Sequence, residues 1–173
     1  VSAISPDRIV AQAAIDAEDV RAALADIPDP ELPVVSIAEL GILGRVELGP
    51  DRVRVELHPT FVACPAIDLI RATVLDRLAE IVPGRPADVA FVFDPPWTSD
   101  RIGAQGRARL AAAGIAPPGP TAPGGLLVLD AIVECPRCGS PRTRLENLFG
   151  PTQCRTIRWC PDCREPFEAV KSV

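Results

Sequence analysis

Apolar positions repeat along this chain with a period that changes several times, and each change marks a predicted element. Val20, Leu24 and Ile27 share one face of a helix opening at Asp16, an aspartate suited to cap it, with Glu18 and Asp19 at its positive end. Pro28 and Pro30 forbid its continuation. Residues 42–48 and 52–57 flank Gly49-Pro50-Asp51. In the second run Val53, Val55 and Leu57 alternate with Arg52, Arg54 and Glu56, which predicts a hairpin with one wet and one buried face. A second helix is predicted from Pro65, with proline in its favoured first position. Asp68 lies in its first turn, and Ile67, Ile70, Val74, Leu78 and Ile81 form an apolar stripe. Pro83-Gly84 ends it, a third strand covers 87–93, and a third helix runs from a cap at 98–100 to Ala113 and Gly114.

The pattern then lapses. Residues 115–125 hold four prolines and three glycines, as expected of a semi-rigid linker without core material. Short apolar runs resume at 126–133, 143–148, 154–159 and 166–170, enough for a small antiparallel ribbon but too little to fold securely on buried area alone. The predicted organisation is α+β: a loosely ordered start over 1–15, an α/β domain over 16–114, a linker over 115–125 and a second domain over 126–173.

Charge narrows the function classes. The chain carries a net −5, divided as −8 over residues 1–134 and +3 over 135–173. An acidic body disfavours nucleic acid, which requires sustained phosphate neutralisation, and the absence of Tyr leaves few platforms for base stacking. The first residues lack a basic region followed by an apolar stretch, so no signal peptide is expected, and no apolar run approaches a membrane span. A cytoplasmic location is expected.

The cysteines carry the chemistry. Cys135-Pro136-Arg137-Cys138 and Cys160-Pro161-Asp162-Cys163 are two short knuckles, with 21 residues between Cys138 and Cys160. Each knuckle brings two sulfurs out of one tight turn, and four thiolates close a tetrahedral Zn²⁺ site with no position left for water. The expected role of that zinc is structural, supplying much of the ribbon's stability. Two readings are open for Cys154: a small buried hydrophobe, or a further ligand beside the zinc site. Two are open for Cys64 as well. It packs, or it sits at the start of the second helix where N–H dipoles favour its thiolate. His58, the sole histidine, is expected on the polar face of its strand, with a Cys64/His58 nucleophilic pair the less favoured alternative. Asp29 and Glu31, set among prolines, are expected to serve a turn rather than act as paired carboxylates. Trp97 is expected to pack across the body or the linker. No phosphate-cradling loop and no Glu-x-x-His pair appears, which argues against a self-contained nucleotide or diiron enzyme.

Longer motifs add a resemblance. Asp29-Pro30-Glu31-Leu32-Pro33-Val34, Ile37-Ala38-Glu39-Leu40-Gly41 and Pro59-Thr60-Phe61-Val62-Ala63-Cys64-Pro65-Ala66 resemble the MIP18 family, a small α/β domain found in iron–sulfur assembly factors. Asp94-Pro95-Pro96-Trp97, Gly114-Ile115-Ala116-Pro117-Pro118 and the cysteine tail narrow this to a resemblance to the D-subunit family of the 1,2-phenylacetyl-CoA epoxidase system. Pro151 and Arg155 stand where that family's pattern suggests Ser and Lys. The resemblance implies a non-catalytic accessory in phenylacetate degradation, assisting a diiron monooxygenase through maturation of an iron or iron–sulfur centre. It implies Cys64 as the reactive cysteine with Thr60 in the same loop, Cys154 as the extra one, and transient iron or Fe–S cluster as cargo. The oxygenase and reductase subunits are the implied partners, and a homodimer would supply more ligands. A pure docking module and a thiol enzyme using Cys64 are the rival readings.

Overall fold

The computed structural model describes residues 15–61, 64–119 and 132–172. The expected loose start therefore lies outside the described residues except for Ile15, as do most of the expected linker and of the strand predicted over 126–133.

Helix α1 (Ala17–Ala25) opens on a reciprocal cap. The Asp16 side chain accepts from the Glu18 and Asp19 N–H groups, and the Asp19 carboxylate accepts from the Asp16 N–H. Its Val20 and Leu24 are fully buried. The chain then turns through an antiparallel bridge between Pro28 and Ser36 into β1 (Leu43–Leu48) and β2 (Val53–Leu57), the predicted hairpin. Helix α2 (Ile67–Ile81) crosses from β2 to β3 (Ala87–Phe91), which runs parallel to β2 and completes a three-stranded sheet, β1-β2-β3. Ile70, Val74 and Leu78 of α2 are buried. A 3-10 turn at Ser99–Arg101 precedes α3 (Ala104–Ala112). Gly114, with φ +78, closes α3 as predicted. Trp97 is buried against the body, its indole N–H donating to the Leu40 carbonyl at 2.8 Å.

One expectation fails just after α3. Ile115–Ala116, in the stretch read as a linker, forms β4 and pairs in parallel with β7 (Glu165–Val170). Ala116 is fully buried. With β5 (Arg144–Asn147) and β6 (Arg155–Cys160) it makes a second sheet ordered β4-β7-β6-β5. Ile132 and Val133 are in no strand.

The two sheets share packing. Val170 of β7 belongs to the core built by α1, α2 and the first sheet, and Cys154 and Ile115 pack on its edge. A smaller core of Ala116, Val133, Cys135, Cys160, Phe167 and Ala169 lies inside the second sheet. Among the described residues, no helix is long and apolar enough to cross a membrane.

Candidate metal and thiol sites

The four knuckle cysteines converge as their spacing predicted. Their sulfurs all lie within 4.8 Å of one another, with Cys135–Cys163 at 3.7 Å and Cys138–Cys160 at 3.6 Å. Four sulfurs at Zn–S distances of 2.3 Å in a tetrahedron stand about 3.8 Å apart, so the donor set and these two spacings fit Zn²⁺. Each knuckle is shaped by its backbone. Gly139 N–H donates to the Cys135 carbonyl at 2.8 Å and Cys135 N–H to the Ser140 carbonyl at 2.9 Å. The residue after the second cysteine is left-handed in both knuckles: Gly139 at φ +72 and Arg164 at φ +58. Backbone N–H groups of Cys163 and Asp162 draw Cys160 down to about 7, toward the thiolate a metal needs. Cys163 is pushed up to about 12 by desolvation and by its three neighbouring sulfurs, a crowding that a divalent cation relieves. Asp162 braces the two knuckles: its carboxylate accepts from the Ser140 hydroxyl and the Arg142 guanidinium, which hold it below the usual carboxylate range.

A second group of donors assembles where the ribbon meets the body. Asp29 is buried, and its Oδ1 accepts from the Glu31 and Leu32 N–H groups at 2.9 and 2.8 Å, the turn expected of it. That turn aims Glu31 inward. The thiol of Cys64 approaches Glu31 Oε2 at 3.8 Å from the body, and the thiol of Cys154 approaches the same oxygen at 3.8 Å from the ribbon. Thr60 lines the same cavity. Arg155 fixes the seam by donating to the Glu31 carbonyl at 3.2 Å, Thr152 Oγ1 at 2.9 Å and Glu168 Oε2 at 2.5 Å. Lys171 Nζ stands 5.6 Å from the Phe61 ring centre and 4.8 Å from that of Phe149, clamping the rim. Sequence reasoning named Cys64, Cys154 and Thr60 as candidates but not Glu31 as the common partner of the two thiols, nor Arg155 and Lys171 as the clamp.

Two expectations are corrected here. Cys64 does not begin the helix: α2 starts at Ile67 with Ala66 as its N-cap, and Cys64 lies in the preceding turn. Burial pushes its thiol up to about 11, the Ala66 N–H alone opposing while Glu31, Asp29 and Cys154 add to the rise. Desolvation, the nearby carboxylates and the second thiol outweigh that one N–H, which favours the protonated thiol. Cys154 is likewise raised, burial leading. His58 is not on a wet face but 7% exposed. A register shift between Leu43 and Val46 and the bare backbone of Gly44 make room for its ring, which a Cβ on Gly44 would meet at 2.8 Å. Nothing among the described contacts joins His58 to Cys64, so the imagined nucleophilic pair is not assembled.

Two stretches of the chain match known protein families. Residues 17–90 match the sequence profile described as iron-sulfur cluster assembly protein, and residues 120–171 that of the PaaD zinc beta ribbon domain. A protein of Escherichia coli (strain K12), provisionally named as the D subunit of 1,2-phenylacetyl-CoA epoxidase, is 35% identical over 156 residues, covering 90% of this chain and 92% of its own. An Fe-S protein maturation auxiliary factor of Bacillus subtilis (strain 168) is 31% identical over 86 residues, covering 49% of this chain and 83% of its own. The crystal structure of a domain of unknown function, DUF59, from Bacillus anthracis superposes with a TM-score of 0.51 at 27% identity, covering 54% of this chain and 90% of its own. With both domains matched in order, and one relative aligned along nearly the whole of each sequence, the chain belongs to the family of 1,2-phenylacetyl-CoA epoxidase D subunits.

Proposed function

We propose that this protein is a non-catalytic accessory of a phenylacetyl-CoA epoxidase system, helping to install or maintain the iron or iron–sulfur centre of its oxygenase or reductase subunits. The observation that carries this reading is the meeting of Cys64, from the iron–sulfur-assembly-type domain, with Cys154, from the ribbon, on one carboxylate oxygen of Glu31. Thiols held beside a carboxylate are suited to taking up and releasing a metal ion. A thiol raised by burial and by neighbouring carboxylates, with no histidine joined to it among the described contacts, is poorly suited to nucleophilic chemistry, which weighs against a thiol enzyme. The closed four-sulfur site has no coordination position for a substrate, so its metal is assigned to holding the ribbon.

The test is co-expression with the epoxidase subunits, comparing the native chain with Cys64→Ser. The expected outcome is a folded variant with zinc retained, while iron per purified oxygenase or reductase and epoxidase activity both fall several-fold. Undiminished iron in both clients would reject the role and leave a docking function, which pull-down against the same subunits would register.

A further inference from the structure

We propose that the outer face of the second sheet is a docking groove for an acidic segment of a protein partner, with Arg137 as its charged anchor and Ile157 and Trp159 as its apolar floor. The inference deepens the proposed function and rests on it for the partner, the oxygenase or reductase subunits, but the groove itself stands on geometry.

Side chains alternate across a sheet, and the strand register separates the two faces here. Thr156 and Cys160 of β6 and Phe167 and Ala169 of β7 are buried on the inner face. Ile157 and Trp159 lie on the other, paired with Glu168 and Pro166 of β7, and Ile115 of β4 pairs with Glu168; none of these five is fully buried. Toward Val170 this outer face passes under the body, whose core that valine joins. Toward Trp159 it comes into the open. Between them runs an open groove of about 420 Å³, walled by Ala113 and Gly114 at the end of α3 and by Arg137 of the first knuckle. With strands about 4.8 Å apart, a four-stranded face is about 14 Å across, enough to seat one helix or one extended segment.

Charge decides the occupant. Glu168 answers Arg155 and Glu146 answers Arg144, whereas Arg137 is exposed and has no hydrogen bond or ion pair among the described residues. One unanswered guanidinium suits a carboxylate, which it can hold through two parallel hydrogen bonds. It falls short of the sustained phosphate neutralisation that nucleic acid requires. Residues 135–173 carry a net +3 against −8 over 1–134, so the ribbon is the side of the molecule that repels an acidic segment least. The apolar part fits a protein partner as well. Trp159, one of two tryptophans in the chain, is half-buried, and the Arg144 guanidinium stands 6.0 Å from its ring centre. Trp and Arg are the side chains in which interface binding energy concentrates. A partner carboxylate on Arg137, with an aliphatic or aromatic neighbour laid over Ile115 and Ile157, would fill the groove. Arg155 borders it and also donates to the Glu31 carbonyl, so the occupant would lie one side chain from the seam.

The experiment uses the zinc-loaded full chain with fluorotryptophan at both tryptophans, titrated separately with purified oxygenase and reductase subunits and followed by fluorine NMR. The expected result is that one of them shifts or broadens the Trp159 signal and leaves that of the buried Trp97 in place. Arg137→Glu should weaken that binding about tenfold or more, and Arg137→Lys should restore the greater part of it. Added salt should weaken the native complex more steeply than that of Arg137→Glu. Trp159→Ala should cost about thirtyfold, the size of a hot-spot loss. Zinc content and thermal melting report whether each variant keeps its fold, and the exposed Arg137 decides the matter where Trp159→Ala disturbs the ribbon. Five results would overturn the groove: no binding of either subunit, binding indifferent to Arg137→Glu, an unmoved Trp159 signal, tighter binding of a short DNA duplex than of either subunit, or self-association as the only property that Arg137→Glu removes. The two readings fail separately. Docking through Arg137 with client iron indifferent to Cys64 removes the maturation role alone. Client iron that depends on Cys64, with binding indifferent to Arg137→Glu, removes this inference alone.

Discussion

The sole histidine shows how one missing side chain decides the state of another. Gly44 leaves the space that the His58 ring fills, and the adjoining Nδ1 is buried without a partner. Burial, then the charge of Arg101, holds the imidazole below its ordinary pKa. The unfolded chain therefore binds a proton that the fold disfavours. Stability from this source is complete above the ordinary histidine value and is lost as the pH falls from there toward the depressed one. Between about pH 7.5 and about pH 5.5 the melting temperature of the native protein should fall further than that of His58→Gln. Calorimetry of the two with zinc held constant decides it, and parallel pH slopes would refute it. The alternation of β2 predicted a wet histidine because period-2 reasoning extends a strand's faces past its end. Here Leu57 and His58 are both buried, and the rule stops at Leu57.

At the scale of elements, periodicity was a good guide wherever an element had a face to hide. The stripe of α2 and the alternation of β2 located both within two residues, because a half-buried helix or strand must repeat its apolar positions. Strand β4 escaped notice because two residues cannot display a period, and prolines follow it. The knuckles were legible from cysteine spacing, but their left-handed corners only half so. Gly139 meets that need with no penalty, whereas Arg164 meets it at a cost, since a Cβ crowds its carbonyl there. Arg164 is exposed. Arg164→Gly should therefore stabilise the ribbon by about 0.5–1 kcal/mol, the left-handed penalty less glycine's extra chain entropy. Chemical denaturation of the zinc-loaded protein measures this, and an unchanged midpoint would mean that the arginine's side chain compensates.

For the whole molecule, the seam was the least readable feature. Glu31 precedes Cys64 by 33 residues and Cys154 by 123, and no local spacing encodes a contact made by folding two domains together. The motif resemblance named both cysteines; only the tertiary structure supplies the carboxylate between them. The same packing links the four-sulfur metal site to Cys64. Val170 lies in the body's core and Arg155 donates to Glu31, so a ribbon deprived of metal should pull away from the cavity. Chelation should then make Cys64 alkylate several-fold faster, read by mass spectrometry, while far-ultraviolet circular dichroism shows α1 and α2 retained. A Cys64 that stays protected after zinc loss would show that the body alone shields it.

Strand β4 also governs how this protein can be cut. A fragment starting at residue 126 would carry every zinc ligand yet lack Ile115 and Ala116, the neighbours that cover β7 along its outer side. Its bared amide and carbonyl row would invite another chain to add on. Self-association of such a piece would reflect that severed border, not the behaviour of the intact molecule.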